Sequence, residues 1–496
     1  MSVRITNKIM QSNALTNINT NKTLEDTLNT QMATGKKITR PSDDPVVAIR
    51  SLRLGTNVTK LEQYNEKNAQ DAEKWMNVTE DAIDSVTSII SDMYSQCQKG
   101  AGDDMNTTNL QAIVQQLKSL RDEVYATGNS DYAGRNLFTG YRTESKLTFQ
   151  EDTTLQTTIN EKVTVNDIQR LTNIETDDVL DYTEATGFSA DETDVTTNEY
   201  DRIRLSYDNL VGGAGVQAHL SYTDSLGNPQ TISFTAAKST DGGVYSDGQN
   251  HFLYDTGELI LSEATKKTLS SLPNTTEFTI TYDKNEWSKG DLRPEHYFDC
   301  LIEGKAADGS ATTIEYKSGS DQDIYYDLGS DQKLKVNTNA SEVFTHNIGR
   351  DVDDLEVMVD QLASLDSIVS SLEGKLDSLS GSALSDANEQ LDAAKKAQTL
   401  LKDQVQKRFG SAMTAMQNYQ DQADLALTNV GARGSRLELI VNRLTSSQST
   451  FEELLKDNDS KPIEETATEL ANAELAYEAS LTATSKIMST NLMNYI

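Results

Sequence analysis

Cysteine is nearly absent from this chain. Among its 496 residues only Cys97 and Cys300 occur, far apart in sequence. Two such residues form no ligand cluster and no disulfide framework, so each reads as a small buried hydrophobe, and metal and redox chemistry lose their usual support. Hydrophobic residues make up only 36% and aromatic residues 6%. That is little for one compact globule of this length and suits elongated helices that bury a single stripe, a rod with attachments. Basic residues are scarce as well: 44 against 77 acidic ones, for a net charge of −33. The chain therefore repels phosphate backbones and anionic lipid, which excludes nucleic acid and membrane surfaces as expected partners. No apolar run is long enough for a membrane span. The start, MSVRITNKIMQSNALTNINTNK, has neither the apolar core nor the cleavage site of a secretory signal peptide. The scarcity of cysteine fits a cytosolic protein, and equally one exported unfolded through a narrow conduit.

Catalytic signatures are missing too. The four histidines, His219, His251, His296 and His346, lie in unlike contexts with no His-Glu-x-x-His arrangement, and read as lone surface residues. There is no nucleophile elbow, and Gly212-Gly213-Ala214-Gly215 lacks the lysine of a phosphate loop, so it reads as a turn between strands. Residues 151–200 are strongly acidic but never fall into a spaced calcium loop, and are expected to be a well-solvated surface or a loop-rich lobe. Tyr222, Tyr254, Tyr325 and Tyr326 read as tyrosines capping a small core. No catalytic residue, metal or cofactor is expected.

What is present is helical period at both ends. A sparse stripe runs through Ile5, Ile9, Leu15, Ile18, Leu24, Leu28 and Met32, interrupted by Asn and Thr. So polar a helix is marginal alone. Gly35, Arg40, Pro41, Ser42, Asp43, Asp44 and Pro45 break the pattern as a hinge, with the serine and aspartates as turn and N-cap and Pro45 at the first position of a fresh helix. That helix is expected to run to Lys99 and to turn at Gly100–Asp104 into a second one through Leu110 and Val124. Helical period returns near Asp351 and continues, with punctuation at Gly374, Gly381 and Asp457–Pro462, to a last stripe of Ile463, Ala467, Leu470, Ala473, Tyr477, Leu481, Met488 and Leu492. The two terminal stripes, each cut off from the rod by a breaker, are expected to pair with each other. They read as the assembly surface, carried by Ile5, Ile9, Leu24, Leu28 and Met32 at one end and Leu470, Tyr477, Leu481, Met488 and Leu492 at the other. The middle carries strand-like segments at Arg202–Tyr207, Val216–Tyr222, Thr231–Phe234, Glu277–Tyr282, Tyr297–Glu303 and Lys333–Val336. The expected fold is mainly α: a rod of long antiparallel helices from both chain ends, with an antiparallel β domain inserted in it. Residues 1–44 and 461–496 form the terminal domain, 45–150 and 346–460 the rod, and 151–345 the insertion.

Several blocks resemble a known family. Gly35-Lys36-Lys37-Ile38 followed by Arg40-Pro41-Ser42-Asp43-Asp44-Pro45 is similar to flagellin-like axial proteins of the bacterial flagellum, specifically the hook-associated FlgL type. Arg135-Asn136-Leu137-Phe138-Thr139-Gly140, Asn429-Val430-Gly431-Ala432-Arg433-Gly434 and the closing Ser489–Ile496 resemble the same type; flagellins tend instead to have Ala-Ala after the aspartates and a Leu-Leu-Arg-like tail. The resemblance covers roughly residues 1–150 and 345–496. It implies a self-assembling tube-wall subunit at the hook-filament junction, exported by the flagellar type III system without a cleaved signal peptide. Its implied partners are further copies in a ring, the adjoining hook-associated junction protein, flagellin or the filament cap on the distal side, and an export chaperone. The alternatives are a filament flagellin or an adhesin-like module on a flagellin scaffold.

Overall fold

The computed structural model describes residues 7–492, apart from 104, 177–178, 180–186, 214, 225–226, 306–310, 319–321 and 330. In chain order, helix α1 (Asn7–Thr34) is followed by α2 (Pro45–Glu62), a π-helix (Gln63–Ala69), α3 (Gln70–Gly100) and α4 (Thr107–Thr127). A two-stranded hairpin, β1 (Asp131–Tyr132) and β2 (Arg135–Asn136), leads to the strands β3 (Thr153–Val163), β4 (Ile168–Glu175), β5 (Thr196–Arg204), β6 (Gln217–Thr223) and β7 (Pro229–Ala237). Then come β8 (His251–Leu253), β9 (Glu258–Leu261), the short α5 (Glu263–Ser270), β10 (Phe278–Trp287), β11 (Asp299–Lys305) and β12 (Ala311–Tyr316). A second hairpin, β13 (Tyr325–Asp327) and β14 (Lys333–Lys335), precedes α6 (Ala340–Val343), α7 (His346–Leu376), α8 (Ser382–Asp459) and α9 (Ile463–Leu492). The mainly helical class with a β domain in the middle is as the sequence indicates.

The chain divides into two compact units. One contains the residues up to Ala72, Tyr326–Leu334 and those from Ser435 on; the other contains Glu73–Tyr325 and Lys335–Gly434. The larger unit holds both the β domain and most of the rod helices. Ten strands form one sheet in the order β12-β11-β3-β10-β6-β7-β8-β9-β5-β4, antiparallel except where β7 meets β8. Its core gathers Phe149, Ile203, Phe234, Phe252, Phe278 and Trp287. In the helical part the stripe of Trp75, Ile83, Val86, Ile90 and Met93 on α3 is fully buried, as are Leu117 on α4, Leu355 on α7 and Phe409 on α8. Gly100 ends α3 where a Cβ would stand 2.6 Å from the Phe409 ring, so only glycine lets the two helices approach there.

The β domain is tied to the helices by buried charge. Arg204, on β5, donates from Nη1 to Asp351 Oδ1 (2.7 Å) and Asp354 Oδ2 (3.0 Å) of α7, and Arg202 donates from Nη2 to Asp354 Oδ2 at 2.6 Å. Arg408 and Tyr419 of α8 complete the group, the first on Asp354 and the second donating its hydroxyl to Asp351 at 2.7 Å. Burial alone would raise the Asp354 pKa, but three guanidiniums hold it well below the carboxylate range. All these charges are paired, which is the condition under which a low-dielectric interior tolerates them.

Three expectations need correction. Residues 151–200 are not a loop-rich lobe throughout, because they include β3, β4 and part of β5. Glu161 on β3 is buried and accepts from the Tyr282 hydroxyl at 2.7 Å. The alternation there is carried largely by Thr, Asn and Gln, so the hydrophobic pattern that marks a strand is weak. His296 and His346 are not surface residues: both are buried. The helix expected from Pro45 to Lys99 is interrupted by a seven-residue π segment, which no period of apolar residues encodes.

Candidate functional site

The smaller unit carries the residues read as the assembly surface. Helices α1 and α9 lie side by side and antiparallel: Asn21 Nδ2 donates to Ala476 O (3.3 Å), and Lys461 Nζ to Gln31 Oε1 (3.1 Å). Along α1 the less exposed positions are Gln11, Ala14, Ile18, Asn21, Glu25, Leu28 and Gln31. Along α9 they are Thr466, Leu470, Ala473, Tyr477, Ser480 and Thr484 with Ala467. Both sets step by threes and fours, the 3.5-residue repeat of a coiled-coil seam. Among them only Leu28, at 4% exposure, is a large buried apolar residue. Six threonines of α1, Thr16, Thr20, Thr23, Thr27, Thr30 and Thr34, turn their hydroxyls back to the carbonyl four residues earlier, so they bond within the helix rather than across it.

The seam is therefore mostly small and polar, while large apolar side chains point away from it. Ile9, Leu15, Leu24 (49% exposed) and Met32 are exposed on α1, and Ile463, Leu475 and Leu481 on α9. Of the residues expected to form the assembly surface, Leu28, Leu470 and Tyr477 sit in the intrachain seam, and Ile9, Leu24, Met32 and Leu481 lie outside it. Ile5 lies outside the described residues, and at Met488 and Leu492 only the helical backbone is described. The period of a stripe shows which residues share a face; it does not tell an internal seam from a face left for another chain.

The breakers at the two ends form a joint. Lys36 and Ser460 make an antiparallel bridge, with Lys37 N donating to Asp459 O at 2.7 Å and Lys461 N to Gly35 O at 3.0 Å. Gly35 adopts φ +67, the left-handed conformation a helix C-terminus favours in glycine. Asp44 caps α2, accepting from Val46 N (2.9 Å) and Val47 N (3.2 Å), with Pro45 at the first helical position. Asp43 accepts from Arg40 N at 2.9 Å and from Thr39; these bonds lower its pKa. Ser51 Oγ donates to Asp459 Oδ2 at 2.8 Å, and Asn458 Nδ2 to Val47 O at 3.2 Å. Arg40, Pro41 and Ser42 are exposed on this joint. Lys37, Asp459 and Lys461 were legible only as parts of breakers, because their bonds join residues more than 400 positions apart.

Among the described residues no group of three His, Cys, Asp or Glu side chains could hold a metal ion, and no helix is long and apolar enough to cross a membrane. An antiparallel pair of terminal helices, a bridged hinge and an outward apolar face are thus the main features of the smaller unit at the two chain ends.

Residues 5–143 match the family described as bacterial flagellin N-terminal helical region. Flagellar hook-associated protein 3 of Salmonella typhimurium is 26% identical over 144 residues, 29% of this chain and 45% of that one. The flagellin of Clostridium tyrobutyricum is 27% identical over 126 residues, 25% of this chain and 33% of that one. The chain thus spans less than half the length of these curated relatives. A crystal structure of Xanthomonas campestris FlgL aligns over 79% of this chain and 98% of its own at 11% identity, with a TM-score of 0.26.

Proposed function

We propose that this chain is a non-enzymatic structural subunit of the bacterial flagellum that forms the ring joining hook to filament. The observation that carries the reading is the outward face of the α1/α9 pair, where Ile9, Leu15, Leu24, Leu475 and Leu481 stand exposed beside a polar seam. Apolar area of that kind gains about 25 cal/mol per Å² when covered, before the cost of ordering is subtracted. Further copies of the chain are the partners that supply the cover. On the hook side the ring meets the adjoining hook-associated junction protein, and on the distal side flagellin or the filament cap. The chain reaches this place unfolded through the flagellar type III channel, with a chaperone shielding its C-terminal helix. The resemblance of the hinge motif to the hook-associated type and the match to hook-associated protein 3 favour the junction over the filament.

The match to a flagellin favours a second reading, a filament subunit. One experiment separates them: immunogold labelling of purified flagella from the source bacterium. A junction subunit gives a single focus of label at the base of each filament, and its deletion leaves hooks without filaments. Label along the whole filament, or normal filaments in the deletion strain, overturns the junction.

A further inference from the structure

We propose that α2 of one copy docks on α9 of a second copy, its apolar-basic face against an apolar-acidic one. The inference rests on the reading of the chain as a self-assembling subunit and names the surfaces that meet. In a chain with 33 more acidic than basic residues, residues 36–60 are an island of the other sign, with six basic side chains against Asp43 and Asp44. Three of the six, Arg50, Arg53 and Lys60, lie on the outward side of α2 beside Val46 (66% exposed) and Ile49. At 100° per residue these five positions fall within one third of the helix circumference. None of the three cations has an ion-pair partner among the described residues.

Helix α9 is the complement. It carries five glutamates and one basic residue, Lys486. Glu464, Glu474 and Glu478 point away from the seam with α1, around Leu475, which is 68% exposed, and they too have no ion-pair partner among the described residues. The spacing agrees as well as the sign. Arg50 and Lys60 are ten residues apart, as are Glu464 and Glu474, so each pair spans about 15 Å along its helix. Two α9 faces brought together would repel, and so would two α2 faces. The pairing of unlike faces is the one the charges allow, and in a subunit that forms a ring it repeats head-to-tail from copy to copy. The apolar residues supply contact area and the charges supply register and partner choice.

The test is charge reversal in the full-length gene, expressed in the source bacterium in place of its own copy, scoring swimming and the fraction of cells with filaments. The unaltered gene must restore both, and its failure would count against the proposed function itself. Arg50→Glu with Arg53→Glu should lower the fraction of filamented cells about tenfold or more, and so should Glu474→Lys with Glu478→Lys. All four changes together should recover most of it. Immunoblots of the culture medium establish that each variant is made and exported. Exported double variants that swim normally, or a fourfold variant no better than either double, would overturn the docking while leaving the subunit's role intact.

Discussion

His346 is buried and enclosed by the rings of Tyr207, Tyr297 and Phe298. Tyr207 donates its hydroxyl to Leu292 O at 2.8 Å, which leaves its oxygen to accept from His346 Nε2 at 2.9 Å, so the network assigns the proton to Nε2. Burial first, and the nearby Arg350 second, push the His346 pKa down to about 3, and burial pushes His296 down to about 4. A histidine held neutral in the fold makes the unfolded chain the better proton binder. The stability it contributes is fully present above the unfolded pKa near 6.5 and is lost as the pH falls from there toward the folded value. Urea unfolding of the larger unit should therefore weaken from pH 7 to pH 5 by on the order of 2 kcal/mol from His346 alone. His346→Asn should flatten that slope even if it lowers stability overall; an unchanged slope would mean that the imidazole is not kept neutral.

Elements were legible where packing follows a period and obscure where it does not. The stripes of α3, α7 and α8 appear as the helices they imply, because each buries one apolar face. The strands with apolar alternation, such as β6 with its buried Ala218 and Leu220, were legible for the same reason. In contrast β3 reads TTLQTTINEKV, and its place between β10 and β11 is set by partners more than a hundred residues away. The π segment is held in the same long-range manner. Asn68 Nδ2 donates to Asp327 O (2.8 Å), Tyr326 bonds Asp71, and Asn65 Nδ2 donates to Thr445 Oγ1 (3.1 Å). Gly329, at φ +82, lies so close to Tyr64 that a Cβ would stand 2.7 Å from the ring. A hydrogen bond from i to i+5 encloses one residue more than the α-helical step, so the segment keeps its form only while these contacts hold it. Deleting the exposed Lys67 should let α2 and α3 run on in α-helical register. Helical content should stay the same, while protease cuts the loop between β13 and β14 sooner and thermal stability falls by about 1–2 kcal/mol. Unaltered cleavage and stability would show that the hairpin does not grip the segment.

At the scale of the molecule, the period of the sequence changes near 150 and 345, but nothing in it marks the binding of the β domain to the helices of the same compact unit. The middle segment is anchored to the rod by its arginines. Removing it would take Arg202 and Arg204 away from Asp351 and Asp354, leaving Arg408 as the remaining guanidinium on two buried carboxylates. With the β domain in place, Arg204→Met alone would leave Asp351 and Asp354 short of a guanidinium at a buried site and should cost about 3–5 kcal/mol in urea unfolding. The terminal pair is held more loosely: its seam is of small and polar residues with one large buried leucine, and the apolar face that we propose neighbouring copies cover stands open. A helix pair joined so thinly opens readily when alone, since backbone ordering costs roughly 1–2 kcal/mol per residue. Amide hydrogen exchange measured on the free chain and on purified flagella tests this most directly. Fast exchange is expected in Asn7–Thr34 and Ile463–Leu492 of the free chain, with strong protection of both in the assembled flagellum. Strong protection of both helices already in the free chain would contradict so thin a joint.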